Sequence, residues 1–259
     1  MKKNLWIAVV LALVLMLGAC GHAAQPAGSE AAEAAETQTP APTETPAAET
    51  AAPEADYDAL YGAKLTEIRD YILTGNSAEE IPEGLTGIRE MMSFEEPQTL
   101  LDMIGYQIRD LSGDGVPELL IGTPVETTEE SVSNIFALYT VKDGAVQLVQ
   151  EGWTRNAWCL MADGGFYNSG SNGAAYAIFA DYDLSEDGTE LVARDYYFTY
   201  EKTEGNYDDI GFYHNTTGMY DKNVSELLDM SEDAFWGLME NYQSRIENPN
   251  LTALSTLNG

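Results

Sequence analysis

Asp-Gly occurs at 143–144, 163–164 and 187–188, and each pair interrupts a run of alternating apolar and polar residues. Asp-Gly between two alternating runs is a strong local signal for a β-hairpin, because both turn positions need φ > 0 and these residues tolerate it. The flanking runs are "SNIFALYTVKDGAVQLVQEG", "AWCLMADGGFYN" and "AAYAIFADYDLSEDGTELVARDYYFTYE". Hairpins in succession build an antiparallel meander, since parallel strands need crossover connections of a dozen residues or more.

Helical spacing bounds this region on both sides. Asp56 is placed to cap a helix whose Tyr57, Leu60, Tyr61, Leu65, Ile68 and Ile72 share one face, ending near Gly75. A second segment carries Leu85, Ile88, Met91 and Met92, and a third starts at Pro97 and runs through Leu100, Leu101 and Ile104. Near the C-terminal end Ser231 caps a helix with Phe235, Leu238, Met239 and Tyr242 facing inward. The expected fold is therefore α+β, with N-terminal helices and a C-terminal helix packed on an antiparallel β-meander in a single domain over 57–259. Too few strands are visible for a propeller or a sandwich.

The N-terminus has a different purpose. Lys2 and Lys3 precede "LWIAVVLALVLMLGA", an apolar run of 15 residues that is shorter than the roughly 20 a membrane span needs. It reads as a secretory signal over 1–19. "LGAC" at 17–20 resembles the lipobox of bacterial lipoproteins, which implies cleavage before Cys20, acylation of its sulfur and residence on the extracytoplasmic face of the cell membrane. Two acyl chains anchor stably where one does not. After the lipidated Cys20, residues up to 56 hold Ala, Pro, Thr and Glu with little to bury, and 20–56 reads as the anchor plus a disordered or partly extended spacer of about 33 Å as a coil or about 110 Å as polyproline. If Cys20 carries lipid, Cys159 has no partner and the fold must stand on its core alone.

Charge excludes one class of partner. The whole chain has 12 Lys and Arg against 43 Asp and Glu, net −31, and residues 57–259 alone carry 10 against 36, net −26. Phosphate backbones are bound by Lys and Arg, so nucleic acid is not expected as a ligand, whereas cations and basic partners are attracted. Solubility alone is the simpler explanation of such a surface.

The segment that looks most like chemistry is "RDLSGDGVPELLIG" at 109–122. Counted as an EF-hand from Asp110, it supplies Asp110, Ser112, Asp114, Gly115 and the Val116 carbonyl, but Ile121 stands where the closing bidentate Glu belongs. The shorter pattern D-x-S-x-D-G-x-x-E resembles the calcium loops of FG-GAP and integrin-type hairpins, which implies that Glu118 closes the cage. The phrase "GYQIRDLSGDGVPELLIG" is also similar to a segment of uncharacterised surface lipoproteins of Gram-positive bacteria, a group with no activity attached. Two readings stand: a weak structural Ca2+ site formed by Asp110, Ser112, Asp114, Val116 and Glu118, or a metal-free turn with Gly at its positive-φ positions. "YDLSEDGTEL" at 182–191 echoes the motif one residue short, as an Asp-Gly hairpin.

Catalytic signatures are missing. The sequence has no Gly-x-Ser-x-Gly elbow, Ser-x-x-Lys, His-Glu-x-x-His or Walker loop. Cys159 with His214 is the one conceivable thiol pair, although "WCLM" is the setting of a buried thiol. "NSGSNGAAY" at 168–176 precedes strand-like residues and so reads as a turn, not a phosphate cradle. Trp153, Trp158, Tyr196, Phe198 and Tyr200 are either sheet core or a sugar-stacking platform. The expectation is a non-enzymatic, lipid-anchored domain that binds or displays a surface, wall or protein ligand. The alternative is a glycan hydrolase using carboxylates, and with 43 acids no pair can be singled out.

Overall fold

The computed structural model describes residues 56–75, 80–125, 133–173 and 175–257. The signal segment 1–19, Cys20 and the spacer up to residue 55 lie outside the described residues.

Helix α1 (Tyr57–Thr74) starts where expected, with the Asp56 carboxylate accepting from the Ala59 amide at 3.0 Å. It stops at Gly75, whose φ of 69° is open to glycine at little cost. Its buried stripe is Tyr61, Leu65, Ile68, Tyr71 and Ile72. Two short helices follow, α2 (Thr86–Met91) and α3 (Pro97–Met103), the second with proline in its first turn.

The strands come next. β1 (Gly105–Arg109), β2 (Glu118–Thr123), β3 (Asn134–Lys142) and β4 (Ala145–Glu151) form consecutive antiparallel neighbours. β5 (Asn156–Leu160), β6 (Phe166–Ser171), β7 (Ala177–Leu184), β8 (Leu191–Glu201) and β9 (Ile210–Asn215) repeat the arrangement. The turn between β3 and β4 has Asp143 at φ 54° and Gly144 at φ 76°, as a two-residue hairpin of this hand requires.

The expected α+β fold with an antiparallel meander is what the chain adopts, but the meander is divided between two sheets that pack face to face, so the expectation of too few strands for stacked sheets does not hold. β10 (Glu226–Leu227) edges one, giving the order β10-β9-β8-β7-β6-β5, while β11 (Thr252–Ala253) edges the other, giving β11-β1-β2-β3-β4. The division falls at Gly152, where a side chain would run into the Ile135 carbonyl. Four layers result. The first three helices bury Ile68, Ile88 and Leu100 against Leu119, Ile121 and Tyr139 on the first sheet. That sheet's other face sets Leu120, Ile135 and Leu138 against Trp158, Leu160 and Phe166 of the second.

Helix α4 (Glu232–Gln243) covers the far face of the second sheet through Phe235, Leu238, Met239 and Tyr242, the inward set read from the sequence. Its cap is Ser231, whose Oγ accepts the Ala234 N–H at 3.2 Å. Beyond α4 the chain returns to the first sheet, where Thr252 pairs with Tyr106 and Leu254 is buried among α1–α3. Among the described residues no helix is long and apolar enough to cross a membrane.

Candidate functional site

The 110–117 loop joins β1 to β2 with Arg109 opposite Glu118. Asp110 accepts the Gly113 N–H at 2.6 Å on one oxygen and the Gly115 N–H at 3.1 Å on the other. Asp114 accepts the Val116 N–H at 2.7 Å. Gly113 and Gly115 sit at φ 82° and 90°, which explains glycine at both places. Glu118 is 0% exposed; its Oε2 accepts the Leu111 N–H at 2.6 Å and its Oε1 lies 3.3 Å from Ser112 Oγ. Ser112 Oγ is also 3.5 Å from Asp110. Ser112 Oγ thus lies within reach of both the Asp110 and the Glu118 carboxylate, while Asp114 is turned to the Val116 N–H.

Burial pushes the Glu118 carboxyl above its usual range, and the Asp114 charge adds to it, against the pull of the Leu111 and Ser112 bonds. Basic side chains nearby are engaged elsewhere: Arg109 reaches Glu247 at 3.9 Å and Lys142 reaches Asp187 at 3.1 Å. Among the described residues no three His, Cys, Asp or Glu side chains already stand in a metal-holding group.

The echo of this motif lies beside it. In the β7–β8 turn Asp187 accepts from Thr189 Oγ1 at 2.7 Å, Ser185 Oγ at 2.9 Å and Lys142, and these bonds hold its carboxyl well below the usual range. Gly188 of that turn packs on Glu118, so closely that a Cβ there would lie 2.5 Å from Oε1. Two stretches that resemble each other in sequence are thus neighbours in space.

The thiol pair does not form. Cys159 is on β5 and His214 on β9, with β6, β7 and β8 between them. Four strand steps at ~4.8 Å put them ~19 Å apart. Burial pushes the Cys159 thiol up to about 12, and its Sγ bonds the Ser133 carbonyl at 3.0 Å. His214 instead pairs with Asp195 at 2.8 Å, and Tyr242 of α4 donates to the same carboxylate at 3.0 Å. Further along, Asp181 binds Arg194 at 2.5 Å, and Asp163 binds Arg194 and Arg245, fastening the end of α4 to the sheet.

The aromatic residues of one sheet face differ in depth. Trp158, Tyr196 and Phe198 are core, as alternation on a sheet implies. Tyr200 instead lies half-buried between a stacked Tyr176 at 5.3 Å and Lys222 Nζ at 5.1 Å from its ring centre.

Tyr176 opens onto a cleft of about 540 Å³ on the α4 side of the second sheet. It is lined by Ala177, Thr199 and Phe212 from β7, β8 and β9, by the rings of Tyr176 and Trp236, and by the exposed carboxylates Asp208 and Glu232. Glu232 and Trp236 are one helical turn apart, and the indole N–H donates to the Glu232 carboxylate at 3.2 Å. Thr199 turns its hydroxyl into the backbone, donating to the Ala175 carbonyl and accepting the Ala177 N–H. Tyr176 OH donates to the buried Glu201 at 2.6 Å, and that bond holds the Glu201 carboxyl below its usual range.

Sequence reading did not anticipate Tyr176, Asp208, Phe212, Glu232 or Trp236 as partners. The one available hint was Trp236, which falls beside the inward stripe of α4 and not on it.

No protein-family model, curated protein or solved structure matches this chain.

Proposed function

We propose that this protein is a lipid-anchored, extracytoplasmic binding or display domain without catalytic activity, tethered through acyl chains on Cys20, with the Tyr176–Trp236 cleft as its ligand site. The cleft carries this reading: it is concave, lined by aromatic rings, and has a few polar groups among them, as ligand sites commonly do. The lipobox and the likeness to Gram-positive surface lipoproteins support the location. A carboxylate hydrolase at this place would need one acid held above its usual range. Glu201, the buried carboxylate beside the cleft, is shifted the other way.

Calcium belongs to the same reading as a structural ion at Asp110, Ser112, Asp114, Val116 and Glu118. Glu118 is a buried carboxylate with Asp114 nearby and, among the described residues, no basic partner, a deficit that a divalent cation would offset.

Two experiments test this. Replacing Cys20 with Ala should abolish labelling by radioactive palmitate and move the protein from the membrane to the soluble fraction; retained membrane residence and label would sink the anchored reading. For calcium, a Kd near 10⁻⁴ M gives about 2.7 kcal/mol at about 10 mM, or about 5 to 11 °C in Tm for a domain of this size. The rise should be absent in Asp114→Ala, and a flat wild-type profile between chelator and calcium would remove the ion from the proposal.

A further inference from the structure

We infer that the Tyr176–Trp236 cleft takes a small organic cation, a protonated or quaternary alkylammonium group; this rests on the cleft being the ligand site. Three aromatic side chains line it, Tyr176, Phe212 and Trp236, and two carboxylates, Asp208 and Glu232. Among the described residues no Lys, Arg or His lines it. Aromatic faces attract a cation through their quadrupole, tryptophan most strongly, and the attraction grows when the site excludes water.

The rings are disposed for it. Phe212 is stacked on Phe235 at 4.5 Å and Tyr176 on Tyr200 at 5.3 Å, so one face of each ring is already held by a neighbour. Among the described residues Trp236 has its one ring contact with Phe235, edge to face at 75°, with no ring stacked upon it.

Charge decides among ligand classes. Asp208 makes no side-chain hydrogen bond or ion pair among the described residues, and Glu232 has only the Trp236 N–H. A neutral sugar could donate hydroxyl hydrogens to both carboxylates but would leave their negative charge in the cleft unbalanced, whereas an ammonium group offsets that charge. An anion is disfavoured further, because the amide end of α4 is already met by Ser231 Oγ and by Glu232 and Asp233 in the first turn. The nearest lysines are engaged elsewhere. Lys222 bonds the Glu201 carbonyl at 2.8 Å and Lys202 pairs with Asp209 at 2.9 Å. The chain's net charge of −31 raises the local concentration of any cation that approaches.

The test is a calorimetric titration of the full chain in non-ionic detergent with choline. Its uncharged isostere 3,3-dimethylbutan-1-ol and a chitin tetrasaccharide run as parallel arms. Choline should bind at least about tenfold tighter than the isostere, the difference being the charge term. Asp208→Asn with Glu232→Gln, both exposed, should cut choline affinity about tenfold while circular dichroism shows the helix content kept. Trp236→Ala should abolish binding, with circular dichroism confirming that α4 persists.

Equal affinity for choline and the isostere, or choline binding untouched by the paired carboxylate change, would overturn the cation. The tetrasaccharide binding in choline's place, and losing affinity in Trp236→Ala, would keep the cleft as a ligand site and replace its ligand class. If none of the three binds, the cation and the ligand-site reading fall together.

Discussion

Glu118 shows how one residue can serve both readings of its loop. It is wholly buried, accepts two backbone N–H groups from the turn, and sits under Gly188 of a neighbouring turn. Its folded pKa is raised above the unfolded value, chiefly by burial. A raised carboxylate contributes stability that grows as pH falls through the folded value and is complete below the unfolded one, near 4.3. In chelator, Glu118→Gln keeps an acceptor for Leu111 and loses the buried charge, so its stability in urea at pH 7 should equal or exceed wild type. Glu118→Leu leaves buried amides without an acceptor and should lose about 1–3 kcal/mol. If Gln proves as damaging as Leu, the charge itself is what the loop needs. None of this burial could be read in "DGVPELLIG", because what seals Glu118 is a turn some 70 residues away.

Among the elements, legibility followed range. The α1 cap, the α4 cap and the three Asp-Gly turns were legible because each is settled by neighbours within a few residues. β9 follows a polar stretch, and β10 and β11 are two residues long, held by pairing with distant strands. Nothing in their own composition marks them. The division into two sheets was equally hidden, since a strand alternates alike whichever sheet it joins. The cleft draws on residues from 171 to 236, and of the aromatics singled out in the sequence only Tyr200 borders it, through Tyr176.

A pair of glycine variants measures how a hairpin tip docks. Gly144 has open space around it, so Gly144→Ala should carry only the left-handed backbone penalty, about 1 kcal/mol. Gly188 has the same backbone sign with Glu118 Oε1 at 2.5 Å and Thr140 Oγ1 at 3.3 Å from an added Cβ. Gly188→Ala should therefore cost about 2 kcal/mol or more in chemical denaturation. Equal losses would mean that the β7–β8 turn does not rest on Glu118.

For the whole molecule, electrostatics is the dominant strain. A net charge of −31 repels itself, so Tm should rise with NaCl between about 10 and 500 mM at pH 7 as screening shortens the Debye length. Acid relieves the same repulsion up to a limit. Asp187 is lowered by Thr189, Ser185 and Lys142. Glu201 is lowered by Tyr176. Asp163 is lowered by Gly165, Arg245 and Arg194 against its desolvation. Such groups stabilise fully above their unfolded values near 4 and lose that contribution as pH falls through the folded ones. The pH profile of Tm should peak at about 5 and fall steeply below about 4; a peak at neutral pH in low salt would contradict this account.

The late return of the chain to β1 sets an order of events. A polypeptide released N-terminus first delivers β1 to β4 early, yet the edge of β1 stays unpaired until Thr252 and Ala253 arrive, after the whole second sheet and α4. An unpaired edge invites other strands. The first sheet is thus a clasp that the chain can close only after nearly everything else has emerged, and that interval is when the protein is most exposed to misassociation and to whatever chaperone meets it.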